Sequence, residues 1–211
     1  MRNRSQAGAA FAVSARLFFV GLLACPAPAA AEGLGRVEIG QAAPDFTAMG
    51  ADGHRHSLHA FAGRVVVLEW MSPVCPYTQL KYRSGAMQAL QRQARRQGMV
   101  WLSIDTGAPG RPGYLSPSAA MAFARRRHST VTAFLSDPDG KIGRLYGART
   151  TPSFYIVGRD GRLAYQGAMD EDPGVDDAKG PNHVRDALDD LADGRAVRLP
   201  ESRPYGCAVE Y

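Results

Sequence analysis

The run Val65-Val66-Val67-Leu68-Glu69-Trp70-Met71 does not alternate, and no other stretch constrains the chain as much. A strand that is apolar on both faces must be covered on both, which points to an inner strand of a parallel sheet. The run stops at Ser72-Pro73. Cys75-Pro76 then leads into an uninterrupted helix-like segment from about Tyr77 to Gln97, closed by Gly98. A thiol therefore stands at or near a helix N-terminus, where free backbone N–H groups and the helix dipole favour its thiolate. The other role open to a cysteine placed here is that of a small buried hydrophobe.

Further along, residues 99–105 read as a second buried strand. Residues 106–116, rich in glycine and proline, form a loop long enough to border a site. Ser116 as N-cap and Pro117 at the first helical position open a helix to Arg127. A strand over 131–136, the turn Asp137-Pro138-Asp139-Gly140 and a short helix over 142–146 follow. Strands over 153–157 and 163–168 form a hairpin around Arg159-Asp160-Gly161. Residues 169–181 read as an acidic surface loop, 181–192 as a last helix and 193–211 as a non-periodic tail. At the front, 36–62 reads as a short hairpin ending at Ser57-Leu58, with Gly53 in its turn. The order βαβαβ, then a hairpin and a helix, predicts an α/β domain with a parallel core sheet extended by antiparallel strands. There is no phosphate-binding glycine loop and no Gly-x-Ser-x-Gly elbow.

Residues 1–31 are set apart. Arg2, Arg4 and Arg16 are the only charges before Glu32; an apolar run, Leu17 to Ala24, and the small residues Ala27 to Ala31 complete a secretory signal peptide. The apolar run falls short of the roughly 20 residues that span a bilayer. Export to a periplasmic or other extracytoplasmic compartment is the expectation. Leu22-Leu23-Ala24-Cys25 also resembles a lipobox, and only if Cys25 is lipidated is the membrane a partner. Without the leader the formal net charge falls from +5 to +2, so the high isoelectric point implies no nucleic-acid partner. Two cysteines remain, Cys75 and Cys207, enough for one disulfide in an oxidising compartment. His54, His56 and His59 are spaced too loosely to argue for a metal.

Taken together, Ile39-Gly40-Gln41-Ala42-Ala43-Pro44-Asp45-Phe46, the strand into Cys75-Pro76-Tyr77, Asp137-Pro138-Asp139-Gly140 and Thr150-Thr151-Pro152-Ser153-Phe154 resemble the exported peroxiredoxin-like branch of the alkyl hydroperoxide reductase and thiol-specific antioxidant group. The likeness covers about residues 36–192. It implies a thioredoxin-like three-layer fold, a mixed central sheet with helices on both faces, and no cofactor. It also implies an antioxidant thiol oxidoreductase acting on a small hydroperoxide or a disulfide, with an external thiol as reductant.

The resemblance also assigns residues. Cys75 matches the attacking cysteine of a Cys-x-x-Cys site whose second position is Thr78, a hydroxyl that either stabilises the thiolate or packs the first helical turn. Pro152 matches the cis-proline facing that cysteine, with Thr151 presenting its backbone to a bound peptide and Tyr77 shaping access. Glu69 matches a buried acid that moves protons; its plainer role is a strand-end carboxylate paired with an arginine. Of the peroxiredoxin Pro-x-x-x-Thr-x-x-Cys signature only Ser72, at the threonine position, is present, since Leu68 stands at the proline position. Arg149 is the candidate thiolate-stabilising arginine. Cys207 is a resolving cysteine, a structural staple or an intermolecular partner. The missing signature residues keep a second class open, a non-catalytic thioredoxin-fold module that binds a peptide beside Pro152.

Overall fold

The computed structural model describes residues 37–171 and 180–211. The signal-peptide and lipobox readings lie outside these residues, as does most of the acidic loop over 169–181. The elements are β1 (Thr47–Gly50), β2 (Arg55–Ser57), β3 (Val66–Trp70), α1 (Pro76–Arg83), α2 (Ala86–Arg96), β4 (Val100–Asp105), α3 (Pro117–Arg127), β5 (Ala133–Ser136), α4 (Lys141–Tyr146), β6 (Thr150–Thr151), β7 (Ser153–Val157), β8 (Leu163–Gly167), α5 (His183–Ala192) and β9 (Cys207–Ala208).

Seven strands form one sheet in the order β2-β1-β5-β4-β3-β7-β8, while β6 and β9 pair separately. The parallel centre is β5-β4-β3, and β3 is fully buried, as its unbroken apolar run predicts. Successive side chains of β3 enter different cores. Val67, with Met71 just past the strand's end, joins Met87, Leu90 and Phe123 under α1, α2, α3 and α5. Val66, Leu68 and Trp70 join Phe46, Ile142 and Tyr146 on the α4 face. Helices on both faces of a mixed sheet make the three-layer α/β arrangement expected from the sequence.

Two expectations need correcting. The helix expected over 77–97 is two helices, broken at Ser84-Gly85. Gly85 has φ +82°, a left-handed conformation open to glycine at little cost, and it serves as N-cap of α2. The break lets Tyr82 and Met87 both reach the core beneath the sheet. The tail, expected to be irregular, contains β9, whose register sets Thr151 opposite Cys207 and Thr150 opposite Ala208. Ser116 caps α3 as predicted, accepting from the Ala119 N–H.

Candidate active site

The loop leaving β3 folds into a turn in which the Cys75 N–H donates to the Ser72 carbonyl at 3.2 Å, and the Gln79 amide ties back to the Pro73 carbonyl at 2.9 Å. Cys75 is the N-cap of α1 with Pro76 at the first helical position, where the missing N–H costs nothing. Its sulfur therefore sits at the positive end of the helix, 3.0 Å from the Thr151 carbonyl oxygen. The Thr151–Pro152 peptide bond is cis.

Cys75 and Cys207 are joined by a disulfide, with their Cα atoms 5.9 Å apart across 132 residues of sequence. Cys75 is only 1% exposed, and Cys207 is half-buried. A cleft of about 140 Å³ opens on this pair, bordered by Trp70, Ser72, Asp105, Gly113, Thr151 and the tail from Cys207 to Glu210.

The other predicted residues are distributed as follows. Ser72 lines the cleft, and Thr78 is fully buried in the first turn of α1, its hydroxyl without a hydrogen-bond partner. Glu69 is fully buried and accepts from Trp101 Nε1 at 2.8 Å, Ser103 Oγ at 2.5 Å and the Tyr82 hydroxyl at 3.3 Å. Burial drives its pKa up, against those three donors, which pull it down. The arginine pairing considered for Glu69 is replaced by this set of neutral donors. Tyr77 is 37% exposed and packs its ring 5.9 Å from that of Tyr205. Arg149 borders a different cleft, with Gly147, Ser153, Tyr155 and Gln166, and is not among the residues that line the one at Cys75. His54 and His56 both approach Asp52, and among the described residues no cluster of His, Cys, Asp or Glu is arranged to hold a metal.

Sequence reasoning missed several residues that border the cleft or hold the tail. Asp105, at the end of β4, accepts from the backbone N–H groups of Gly107 and Leu115 and so folds the glycine-rich loop over the cleft. Burial, with the nearby Asp137 charge adding to it, pushes its pKa up to about 6. Lys81 is 2% exposed and its ammonium lies 2.8 Å from Asp170, whose other oxygen accepts from the Tyr205 hydroxyl at 2.5 Å. At the far end, the Tyr211 hydroxyl donates to the Ala148 carbonyl, and its ring lies 4.5 Å from the Arg144 guanidinium. Tyr205-Gly206 directly before Cys207 was the available signal: an aromatic and a glycine beside a cysteine in an otherwise polar tail.

Residues 39–166, more than half of the sequence, match the AhpC/TSA family. The chain belongs to that family. Among solved structures, this AhpC/TSA protein is similar to an uncharacterised conserved protein from Geobacillus kaustophilus, with 24% identity, 82% of this chain and 92% of that one covered, and a TM-score of 0.72. A hypothetical protein from Sinorhizobium meliloti 1021 gives 22% identity, 84% and 96% coverage and the same TM-score of 0.72. An exposed lipoprotein thioredoxin from Streptococcus pneumoniae gives 23% identity, 70% and 100% coverage and a TM-score of 0.51. These likenesses support the thioredoxin-like fold. No curated protein matches the sequence.

Proposed function

We propose that this AhpC/TSA protein is an exported thiol–disulfide oxidoreductase that cycles between a Cys75/Cys207 dithiol and the disulfide joining them. The observation that carries the reading is the pairing of a buried, helix-capping cysteine with a cysteine on a docked tail, inside one cleft. In the reduced form, the dipole of α1 holds Cys75 as thiolate, the attacking species. Cys75 attacks a disulfide sulfur and one thiolate leaves; Cys207 then attacks Cys75, expels the second thiolate and closes the internal disulfide. An external thiol returns the pair to the dithiol. Export, with residues 1–31 as leader, suits a protein that works by making and breaking disulfides.

Peroxide reduction is the second reading, favoured by membership of the AhpC/TSA family. There Cys75 attacks the peroxide oxygen and becomes a sulfenic acid, and Cys207 condenses with it, releasing water. Arg149 lies at another cleft, and Leu68 replaces the signature proline, so the cradle for a peroxide is thinner than the apparatus for a disulfide.

Reduced protein is treated separately with one equivalent of oxidised glutathione and of hydrogen peroxide, and both cysteines are mapped by mass spectrometry without reduction. The expected result is a fast Cys75–Cys207 bridge with glutathione disulfide and a slower one with peroxide. The reverse order moves the assignment to peroxidase. Cys75 untouched by both, with an alkylation midpoint near the free-thiol value of about 8.5, marks a non-catalytic binding module.

A further inference from the structure

The tail is fastened to the body by contacts that are individually small. β9 pairs only with β6, and beyond it the Val209 N–H donates to the Arg149 carbonyl at 2.9 Å. Tyr205 is tied to Asp170 before Cys207, and Tyr211 to Ala148 after it. The ion pair between Arg111 and Glu210, 3.5 Å apart, is exposed and holds weakly. Ala208, Val209, Glu210 and Tyr211 belong to neither apolar core. Gly206 shows how closely the tail lies: at φ +127°, a Cβ there would stand 2.1 Å from the Thr151 carbonyl oxygen. With the tail seated, Cys75 is sealed at 1% exposure and the paired edge of β6 is taken. A partner's disulfide reaches Cys75 only when the tail is off, and the edge then left bare is the kind of surface an extended chain pairs with.

We infer that the tail and the partner's cysteine-bearing strand occupy the β6 edge in turn, so that Cys207 resolves the mixed disulfide by strand replacement. This rests on the thiol–disulfide exchange proposed above and names its substrate class: disulfides carried on extended polypeptide segments. With the tail released, the Cys75 thiolate forms a bond to one sulfur of the partner's disulfide. The partner's S–S bond breaks, and its other sulfur leaves as thiolate and takes a proton from water. The partner segment is held twice, by the new S–S bond and by hydrogen bonds along β6. Cys207, as thiolate, then bonds to Cys75 Sγ and expels the partner's remaining sulfur. Two electrons have passed from the protein dithiol to the partner, which ends as a dithiol. Because β9 takes over the same edge, the partner loses its strand pairing in the step that severs its covalent bond.

Gly206 is the handle for a test. It lies on the tail outside both cores, so Gly206→Ala leaves the body intact while its Cβ keeps β9 from closing on Thr151. The probe is a nine-residue peptide whose single central cysteine carries thionitrobenzoate as a mixed disulfide. Release of the coloured thiolate reports attack by Cys75, and mass spectrometry follows the Cys75–peptide adduct. The wild-type adduct should be short-lived yet outlast a Cys75–cysteamine adduct several-fold, because cysteamine leaves the edge empty. In Gly206→Ala the peptide adduct should persist at least ten times longer, and Tyr211→Phe should give an intermediate lifetime. A Gly206→Ala adduct that clears at the wild-type rate, or equal lifetimes for peptide and cysteamine adducts in the wild type, overturns strand replacement and leaves the exchange chemistry standing. Absence of coloured release from the wild type overturns the exchange chemistry itself.

Discussion

Cutting the disulfide by Cys207→Ser should lower stability by about 3 kcal/mol, and the size of the loss carries information. Cross-linking across 132 residues removes loop-closure entropy from the unfolded chain worth about 5 kcal/mol at 25 °C. That full value is lost only if the tail stays seated in the uncrosslinked native state. The nearest point before Cys207 at which the tail's backbone is hydrogen-bonded to the body is Ser202, whose N–H donates to the Gln166 carbonyl and whose hydroxyl accepts from the Ala168 N–H at 2.9 Å. If the segment beyond Ser202 detaches, the native state also gains freedom when the bond is cut. Closing so short a loop costs about 2 kcal/mol on the same scale, leaving a net loss of about 3 kcal/mol. For a domain of this size that corresponds to a fall in Tm of roughly 6–12 °C. Urea unfolding of the oxidised wild type, the reduced wild type and Cys207→Ser, fitted with a common slope, supplies the comparison. A loss near 5 kcal/mol would mean the uncrosslinked tail remains docked and would contradict its release. A loss below about 1 kcal/mol would refute the constraint itself.

Asp105→Asn should flatten the pH dependence of stability between about pH 4 and 6. The native pKa of about 6 lies above the ordinary 3.8, so in this window the folded state holds more protons than the unfolded one and stability falls as pH rises. The shift corresponds to about 3 kcal/mol, present in full below pH 4 and gone above pH 6. Urea midpoints of wild type and variant at several pH values isolate it, and parallel profiles would count against the shift. Thr78→Val should leave stability unchanged or raised by about 1 kcal/mol, since the buried hydroxyl has no partner with the disulfide closed. If that hydroxyl donates to the Cys75 thiolate once reduced, the alkylation midpoint of Cys75 should rise by about one pH unit; an unmoved midpoint assigns Thr78 to packing alone.

What the sequence exposes is what repeats locally. The unbroken apolar run 65–71, the Ser116-Pro117 cap and the Asp137–Gly140 turn each carry their signal within a few residues, and the α/β class follows from the alternation of such elements, whereas the strand order is set by pairings between distant segments. Cys75 is visible for the same reason, since strand, proline and helix surround it. The break at Gly85 is hidden because helical periodicity resumes on both sides and a single glycine is tolerated inside a helix. The tail strand is hidden more deeply. Two residues have no period, and their partner lies more than fifty residues earlier in β6. The pairing of Cys75 with Cys207 rests on the same long-range docking, and so does the placement of Arg149 at a second cleft.

The two tryptophans occupy different situations. Trp70 points into the α4-side core and borders the cleft of the sulfur pair, whereas Trp101 lies in the opposite core with its indole N–H on Glu69. Disulfides quench nearby indole emission, and a carboxylate at an indole N–H alters its spectrum. The chain thus carries two optical probes on opposite faces of one sheet, one beside the redox pair and one bound to the buried acid.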